Sequence, residues 1–258
     1  MATADTPKRV VSMNLCTDQL AMMLAEPGQL LAVSRVARDV MSSAMAAEAA
    51  HVPTHSSAAE EVYLLKPDLV LAGTYTSRAS VNMLRRLGIR VEKLPIAISL
   101  EQVSANMRQM GAWLGQDTAA ETMAAEFERA VAELRARVTD RPRAALYYAN
   151  GYSLGDQTLA GQILLAAGYA NVATELGHAY GGNLALEQLV MSAPDLVITG
   201  EKYPGASRSE ELLDHPAVQA LATASNRGAD WICGTPYVLR AITDLQGGLQ
   251  HGLQEASQ

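Results

Sequence analysis

A chain of 258 residues with a formal charge of −7 and no basic run lacks the electrostatic footprint of a nucleic-acid binder. Hydrophobic content of 49% and charged content of 18% are those of an ordinary globular protein, long enough for one large domain or two smaller ones. No apolar stretch approaches the roughly 20 residues of a membrane-spanning helix.

The stretch MATADTPKRVVSM has no basic region followed by an apolar core. It therefore reads as free of a secretory leader, either in a cytosolic chain or in one whose leader has been removed. Cys16 and Cys233 lack CxxC spacing and cannot form a metal site by themselves. They read first as two buried free thiols. The alternative is a long-range disulfide, which would favour an oxidising compartment.

In chain order, RVVSMN (9–14) reads as a buried strand, TDQLAMMLA (17–25) as a helix stopped by Pro27-Gly28, and LLAVS (30–34) as a second strand. Residues 35–58 are looser, with an Ala/Met-rich helical piece and two histidines. Ser57 and Glu60 form a capping box ahead of a short helix ending at Lys66, broken by Pro67-Asp68. DLVLA is an unbroken aliphatic run suited to a parallel strand covered on both faces, and Gly73 ends it. SRASVNMLRRLG reads as a helix closed by Gly88, and IRVEKLP as the next strand. Such alternation means a parallel α/β lobe.

The rhythm then changes. SLEQVSANMRQMGAWLG is one helix, and TAAETMAAEFERAVAELRARV (118–138) is another, opened by a capping box of Thr118 and Glu121. Met123, Phe127, Val131, Leu134 and Val138 recur at helical steps along the latter. At about 1.5 Å per residue it spans roughly 30 Å before Arg141-Pro142 halts it. Alternation then restarts: AALYYAN a strand, TLAGQILLAAG a helix, LEQLVMSA a short helix, DLVITG a strand, HPAVQALATA a helix, ADWICG a strand, and a helical tail from Tyr237.

One phrase occurs twice. AEEVYLLKPDLVLAG (59–73) returns as LEQLVMSAPDLVITG (186–200): a Glu, an apolar stripe, Pro-Asp, aliphatics and a Gly. The predicted fold class is α/β, with two Rossmann-like lobes over 1–115 and 141–258 joined by one long interlobe helix over 116–140. Ligands of open α/β sheets sit beyond the carboxyl ends of the strands. Two lobes facing each other would form a cleft lined by the loops after Asn14, Ser34, Gly73, Asn150, Gly200 and Gly234.

EEVYLLKPDLVLAGTY, LRRLGIRVEKLP, the long helix and LEQLVMSAPDLVITG, in that order, resemble the periplasmic substrate-binding proteins of importers for iron–siderophore complexes, haem and cobalamin. The resemblance covers nearly the whole chain. It implies two lobes bridged by a single helix, limited hinge motion, a periplasmic location and a monomer. It also implies a non-catalytic role without a cofactor, in which a metal chelate is captured and handed to the membrane permease of an ABC importer. Members of that family dock onto permease arginines through one exposed Glu on each lobe, and by motif position these are Glu60 and Glu187. Arg–carboxylate bonds supply both geometry and energy. The helix dipole alone also favours a Glu in a first turn, but its recurrence in both lobes tips the reading toward docking.

Candidate ligand-binding residues stand in loops at strand ends: Arg35, Arg38, His55, Thr74 and Tyr75 in the first lobe, and Tyr148, Tyr152, His178, Tyr180, Tyr203, Tyr237 and Arg240 in the second. Tyrosine offers a stiff amphipathic surface, arginine a planar cationic fork. Arg240 stands out because RxxTDL after GTPYVL resembles the setting of a pocket arginine in family members. Cobalamin-binding members present several tryptophans to the corrin, whereas Trp113 and Trp231 fall on a predicted helix and strand. Gly73 stands where an aromatic often follows, with Tyr75 two residues on. A ferric siderophore is therefore the expected cargo, with a corrinoid or haem as the alternative.

Two rival chemistries have small footholds. GYSLG (151–155) matches the G-x-S-x-G nucleophile elbow, with Asp195 and then His215 or His251 in triad order. The elbow requires a helix starting at the Ser, and Asp156-Gln157-Thr158 instead looks like a later cap. His51 and His55 could bind a metal, but Val52-Pro53 separates them and no third ligand is near. No GxxxxGK[ST] loop or GxGxxG fingerprint supports nucleotide chemistry.

Overall fold

Val10–Ser12 (β1), Leu30–Ser34 (β2), Thr54–His55 (β3), Leu69–Gly73 (β4) and Arg90–Leu94 (β5) pair in parallel in the order β3-β2-β1-β4-β5. That is the strand order of a doubly wound dinucleotide-type half, with the reversal between β1 and β4. This is a computed structural model that describes residues 6–201, 205, 207–226 and 228–255, with side chains as far as Gly248. The chain folds as two compact units. The first takes the chain to Ala97 together with Glu101–Glu128 and Ile232–Pro236; the second takes Ile98–Leu100, Arg129–Trp231 and the chain from Tyr237.

In the first unit, helix Leu15–Leu24 (α1) starts where the Asn14 side chain accepts from the Cys16 amide at 3.1 Å. A turn at Arg35–Arg38 and Ala46–Ala49 (α2) follow, then Ala59–Leu64 (α3) and Arg78–Arg86 (α4). β4 is buried along its whole length. Val70 and Ala72 pack with Ala59, Val62, Val81 and Leu84 from α3 and α4 on one face of the sheet. The predicted capping box at Ser57 does not form. Ser57 adopts φ 65° and donates to the Met13 carbonyl at 3.2 Å, α3 starts after Ala58, and Glu61 rather than Glu60 reaches back, to the Ser56 amide at 2.7 Å.

Leu100–Leu114 (α5) and Asp117–Ala136 (α6) turn on Gly115, at φ +73°. α6 begins at Asp117, so Thr118 lies inside the helix and not at a cap, and its carbonyl accepts from the Thr122 hydroxyl at 3.0 Å. At about 1.5 Å per residue its 20 residues span roughly 30 Å. The boundary between the units falls within it, after Glu128. Ala120, Ala124, Phe127, Val131 and Leu134 form its buried stripe. Arg108 on α5 bridges Glu121 and Glu128 at 2.7 Å each, which holds the Glu128 carboxyl down at about 2. A Cβ on Gly111 would lie 2.2 Å from that of Ala120, so the two helices approach closely only because position 111 has no side chain.

In the second unit, Arg143–Leu146 (β6), Ala170–Asn171 (β8), Leu196–Gly200 (β10) and Thr223–Asn226 (β11) form a parallel sheet in the order β11-β10-β6-β8, and Tyr152–Ser153 (β7) pairs antiparallel with Gly182–Asn183 (β9). Its helices are Leu159–Ala167 (α7), Val172–Glu175 (α8), Leu186–Ser192 (α9), Pro216–Gln219 (α10), Gly228–Ile232 (α11) and Val238–Glu255 (α12). Ala145, Tyr147, Leu184, Leu189, Val197 and Val218 centre its core. Two expectations are corrected here. ADWI is helical and Cys233-Gly234 follow it as a bend, so Trp231 lies on α11, and the strand is Thr223–Asn226, partly inside the expected HPAVQALATA helix. β11 sits at the sheet edge with half its residues exposed, which is why a polar TASN can pair there.

The repeated phrase builds the same joint twice. Asp68 accepts the Lys8 and Arg9 amides at 2.8 and 3.0 Å, while the Arg9 guanidinium donates to the Lys66 and Leu65 carbonyls at 2.8 and 2.6 Å. Asp195 likewise accepts the Arg143 amide at 2.7 Å, and Arg143 donates to the Ser192 carbonyl. In both joints the residue before proline is left-handed, Lys66 at φ 49° and Ala193 at φ 43°. The closing glycines also match: a Cβ on Gly73 would meet the Asn14 side chain at 2.6 Å, and one on Gly200 would meet the Tyr148 ring at 3.3 Å. Asn14 and Tyr148 hold equivalent places just past β1 and β6.

Cys16 and Cys233 form a disulfide across 217 positions, which corrects the reading of two free thiols. It fastens the Ile232–Pro236 segment to α1 inside the first unit. Among the described residues no helix is long and apolar enough to cross a membrane.

Candidate functional site

Each parallel sheet directs its carboxyl edge toward the loops where binding residues were expected, and the two edges are built differently. In the first unit the ends of β1, β2 and β3 are locked by a buried polar network. Asp18, on α1, accepts from the Ser34 hydroxyl and, at 3.3 Å, from the Ser34 amide. The Ser12 and Thr17 hydroxyls share a hydrogen bond at 2.7 Å. His55 donates from Nε2 to the Ser12 carbonyl at 2.8 Å and accepts the Ser57 amide at Nδ1 at 3.0 Å. Burial drives the Asp18 carboxyl up to about 7, against the pull of its serine hydrogen bonds, and burial lowers the pKa of His55. Burial thus favours the uncharged form of both side chains at the base of the edge.

Of the first unit's candidates, His55 therefore has both ring nitrogens engaged inside the fold. Arg38 is spent as well, donating to the Ala49 and Val52 carbonyls at 3.1 and 2.7 Å. Arg35 is exposed and stands 3.8 Å from Glu61. Thr74 accepts the Ile96 amide at 3.2 Å and so ties the loop after β4 to the loop after β5. Tyr75, next to it, is 81% exposed, and Ile96 is exposed too. Tyr75 and Ile96 thus give this edge an uncovered apolar surface. Sequence reading missed Ile96, which had only its place after a strand to mark it.

In the second unit, Tyr148 packs over Gly200 and accepts from Asn226 at its hydroxyl at 3.0 Å; burial pushes that hydroxyl up to about 12. Tyr148 thus joins the carboxyl ends of β6, β10 and β11. Tyr152 is partly exposed on β7, and Tyr180, 75% exposed, lies in the loop leading to β9. His178 underlies this ribbon: its Nδ1 lies 2.8 Å from where a Gly182 Cβ would stand. Tyr237 and Arg240 occupy the start of α12. The Arg240 guanidinium lies 4.2 Å above the Tyr237 ring and 3.9 Å from the nearly buried Asp230 carboxylate, and it remains 61% exposed. Tyr203 lies outside the described residues.

Ser153 is fully buried on an antiparallel strand and donates to the Leu146 carbonyl, with the next helix starting only at Leu159. A nucleophile elbow is therefore not formed. Among the described residues no three His, Cys, Asp or Glu side chains gather as a metal site.

The two glutamates occupy equivalent places. Glu60 and Glu187 are exposed in the first turns of α3 and α9, and neither makes a hydrogen bond or ion pair among the described residues. Their neighbours in sequence are occupied: Glu61 by the Ser56 amide and Arg35, Gln188 by the Ala185 amide at 3.3 Å.

The family model described as "Periplasmic binding protein" matches residues 10–228, from β1 to the start of α11. The chain belongs to the periplasmic binding protein family. Within it, the chain is 29% identical over 199 residues to a cobalamin-binding protein of Halobacterium salinarum, a match covering 75% of this chain and 54% of that one. The chain thus spans about half the length of the relatives it matches in this way. A periplasmic heme-binding protein from Roseiflexus sp. RS-1 superimposes with a TM-score of 0.75 at 20% identity, over 93% of this chain and 96% of the other. One from Pseudomonas aeruginosa does so with a TM-score of 0.77 at 20% identity, over 94% and 92%. At these identities the structural likeness establishes the fold.

Proposed function

We propose that this member of the periplasmic binding protein family is the substrate-binding component of an ABC importer, and that it captures a metallo-tetrapyrrole of the corrinoid or haem class without transforming it. The observation that carries this reading is the exposed aromatic and apolar surface at the carboxyl edges: Tyr75 with Ile96 in one unit, Tyr152 with Tyr180 in the other. A flat, largely apolar macrocycle would cover such rings, and stiff aromatic side chains lose little entropy on being covered.

The cation supply points the same way. Of the three arginine candidates, Arg38 is committed to backbone carbonyls, while Arg35 beside Glu61 in one unit and Arg240 beside Asp230 in the other each present an exposed guanidinium. Two such groups, each already beside a carboxylate, suit propionates or an amide-rimmed ring better than a polyanionic chelate. The ferric siderophore remains a second reading, favoured by Arg240 itself. The names of the relatives, cobalamin-binding and heme-binding, support the first.

Delivery would run through Glu60 and Glu187, docking onto permease cations, and a periplasmic location and monomeric state accompany the reading. The test is a titration of the purified chain with haemin, cyanocobalamin and two ferric siderophores, followed by ligand absorbance and by quenching of Trp113 and Trp231. Saturable binding of a tetrapyrrole is expected. Binding of a ferric siderophore alone would replace it by the second reading.

A further inference from the structure

On α3, Glu60 shares one face with Tyr63 and Leu64, three and four residues on; on α9, Glu187 shares one with Val190 and Met191. All four apolar side chains are exposed, Leu64 by 77% and Met191 by 84%. The intervening Val62 and Leu189 are fully buried and anchor each helix to its own core. Each unit thus presents the same face, a carboxylate without a partner among the described residues bordered by two uncovered apolar groups. A single exposed Leu needs no explanation. The same exposure at the same two positions in both units, with side chains of different type, is a different matter.

We propose that these apolar pairs, Tyr63–Leu64 and Val190–Met191, are the anchoring part of the docking surface, and that the partner is the importer's permease, presenting at each contact a cation set beside an apolar depression. This rests on the docking role of Glu60 and Glu187. It assigns them the steering and registering part, while the apolar neighbours set how long the complex lasts. Exposed charges act chiefly on association rate and its salt dependence, whereas desolvated apolar anchors act on dissociation. The partner's chemistry follows from the face itself: an unpaired carboxylate calls for a cation, and side chains as long as Leu and Met call for a recess rather than a flat polar surface.

The probe is the ABC permease complex of the chain's own host in lipid nanodiscs, with binding kinetics read at two salt concentrations. L64S with M191S should speed dissociation about tenfold or more and leave the association rate and its salt response unchanged. E60Q with E187Q should slow association and flatten the salt response. Dissociation unchanged in L64S/M191S while E60Q/E187Q still weakens binding would overturn the apolar anchors and leave the docking reading standing. An E60Q/E187Q variant that binds like the parent would overturn the docking reading, and this inference with it. Thermal melts and tetrapyrrole affinity, which these surface changes should not move, exclude misfolding as the cause.

Discussion

Replacing Asp18 by Asn should flatten the stability of the chain against pH between about 4 and 7. The folded protein favours the protonated acid, because burial raises the Asp18 carboxyl from 3.8 to about 7. The unfolded chain ionises near the ordinary value, so Asp18 penalises folding more and more as pH rises from about 4, and the penalty levels off above 7. Three pH units at about 1.4 kcal/mol each give on the order of 4 kcal/mol. Asn fills nearly the same volume, can accept from the Ser34 amide and carries no proton to lose. His55 acts in the opposite sense: its lowered pKa makes folding less favourable as pH falls through the ordinary histidine value, but it is present in both proteins and cancels in the difference. Urea unfolding followed by circular dichroism at four pH values from 4 to 7.5 would give the difference directly. D18N should gain on the parent by several kcal/mol across that range. A difference that stays constant would mean that Asp18 is ionised in the fold, and the account of a neutral network beneath the carboxyl edge would be wrong.

Other consequences are open to simpler assays. Replacing Cys16 and Cys233 by Ser should lower unfolding free energy by up to about 5 kcal/mol, the loop-closure value for a ring of this length, measured in denaturant with and without reductant. Arg143→Met strips the carbonyl of Ser192 and the Glu175 carboxylate of their donor and should cost about 2 kcal/mol, with Arg9→Met costing a similar amount at the matching joint. Gly111→Ala, which would help an isolated helix, should instead destabilise by about 1–3 kcal/mol through its clash with Ala120, seen as a lower melting temperature. Tyr75→Ala with Arg240→Ala should weaken ligand at least about tenfold while leaving the melting temperature within a few degrees, because both side chains are largely exposed.

Much of the fold could be read along the chain because its strands are local statements. DLVLA and DLVITG are aliphatic runs bounded by Pro-Asp and Gly, and both became β4 and β10 at those positions. The reading failed where the partner decides the structure. TASN becomes a strand only because the free edge of β10 lies beside it, and ADWI is helical, followed by Cys233 held to Cys16 from the far end of the chain. Glu60 was read as the capping acid, yet Glu61 does that work, and a one-residue offset of this kind is invisible until the helix start is fixed. The repeated Pro-Asp was read as a turn. Its further role, the exchange of hydrogen bonds between Asp68 and Arg9 and between Asp195 and Arg143, spans more than fifty residues and has no local signature. At the candidate site, loop position was legible in the sequence, but commitment was not: nothing in the string shows that His55 and Arg38 have spent their polar atoms while Tyr75 and Arg240 remain exposed.

The most direct measurement combines binding with recovery of the cargo. The chain is incubated with haemin and with cyanocobalamin, separated from free ligand, and the bound molecule is released by denaturation and weighed by mass spectrometry. The account predicts one tetrapyrrole per chain, recovered with its mass unchanged. A chain that emerges empty from both incubations, or one that returns an altered molecule, would contradict it.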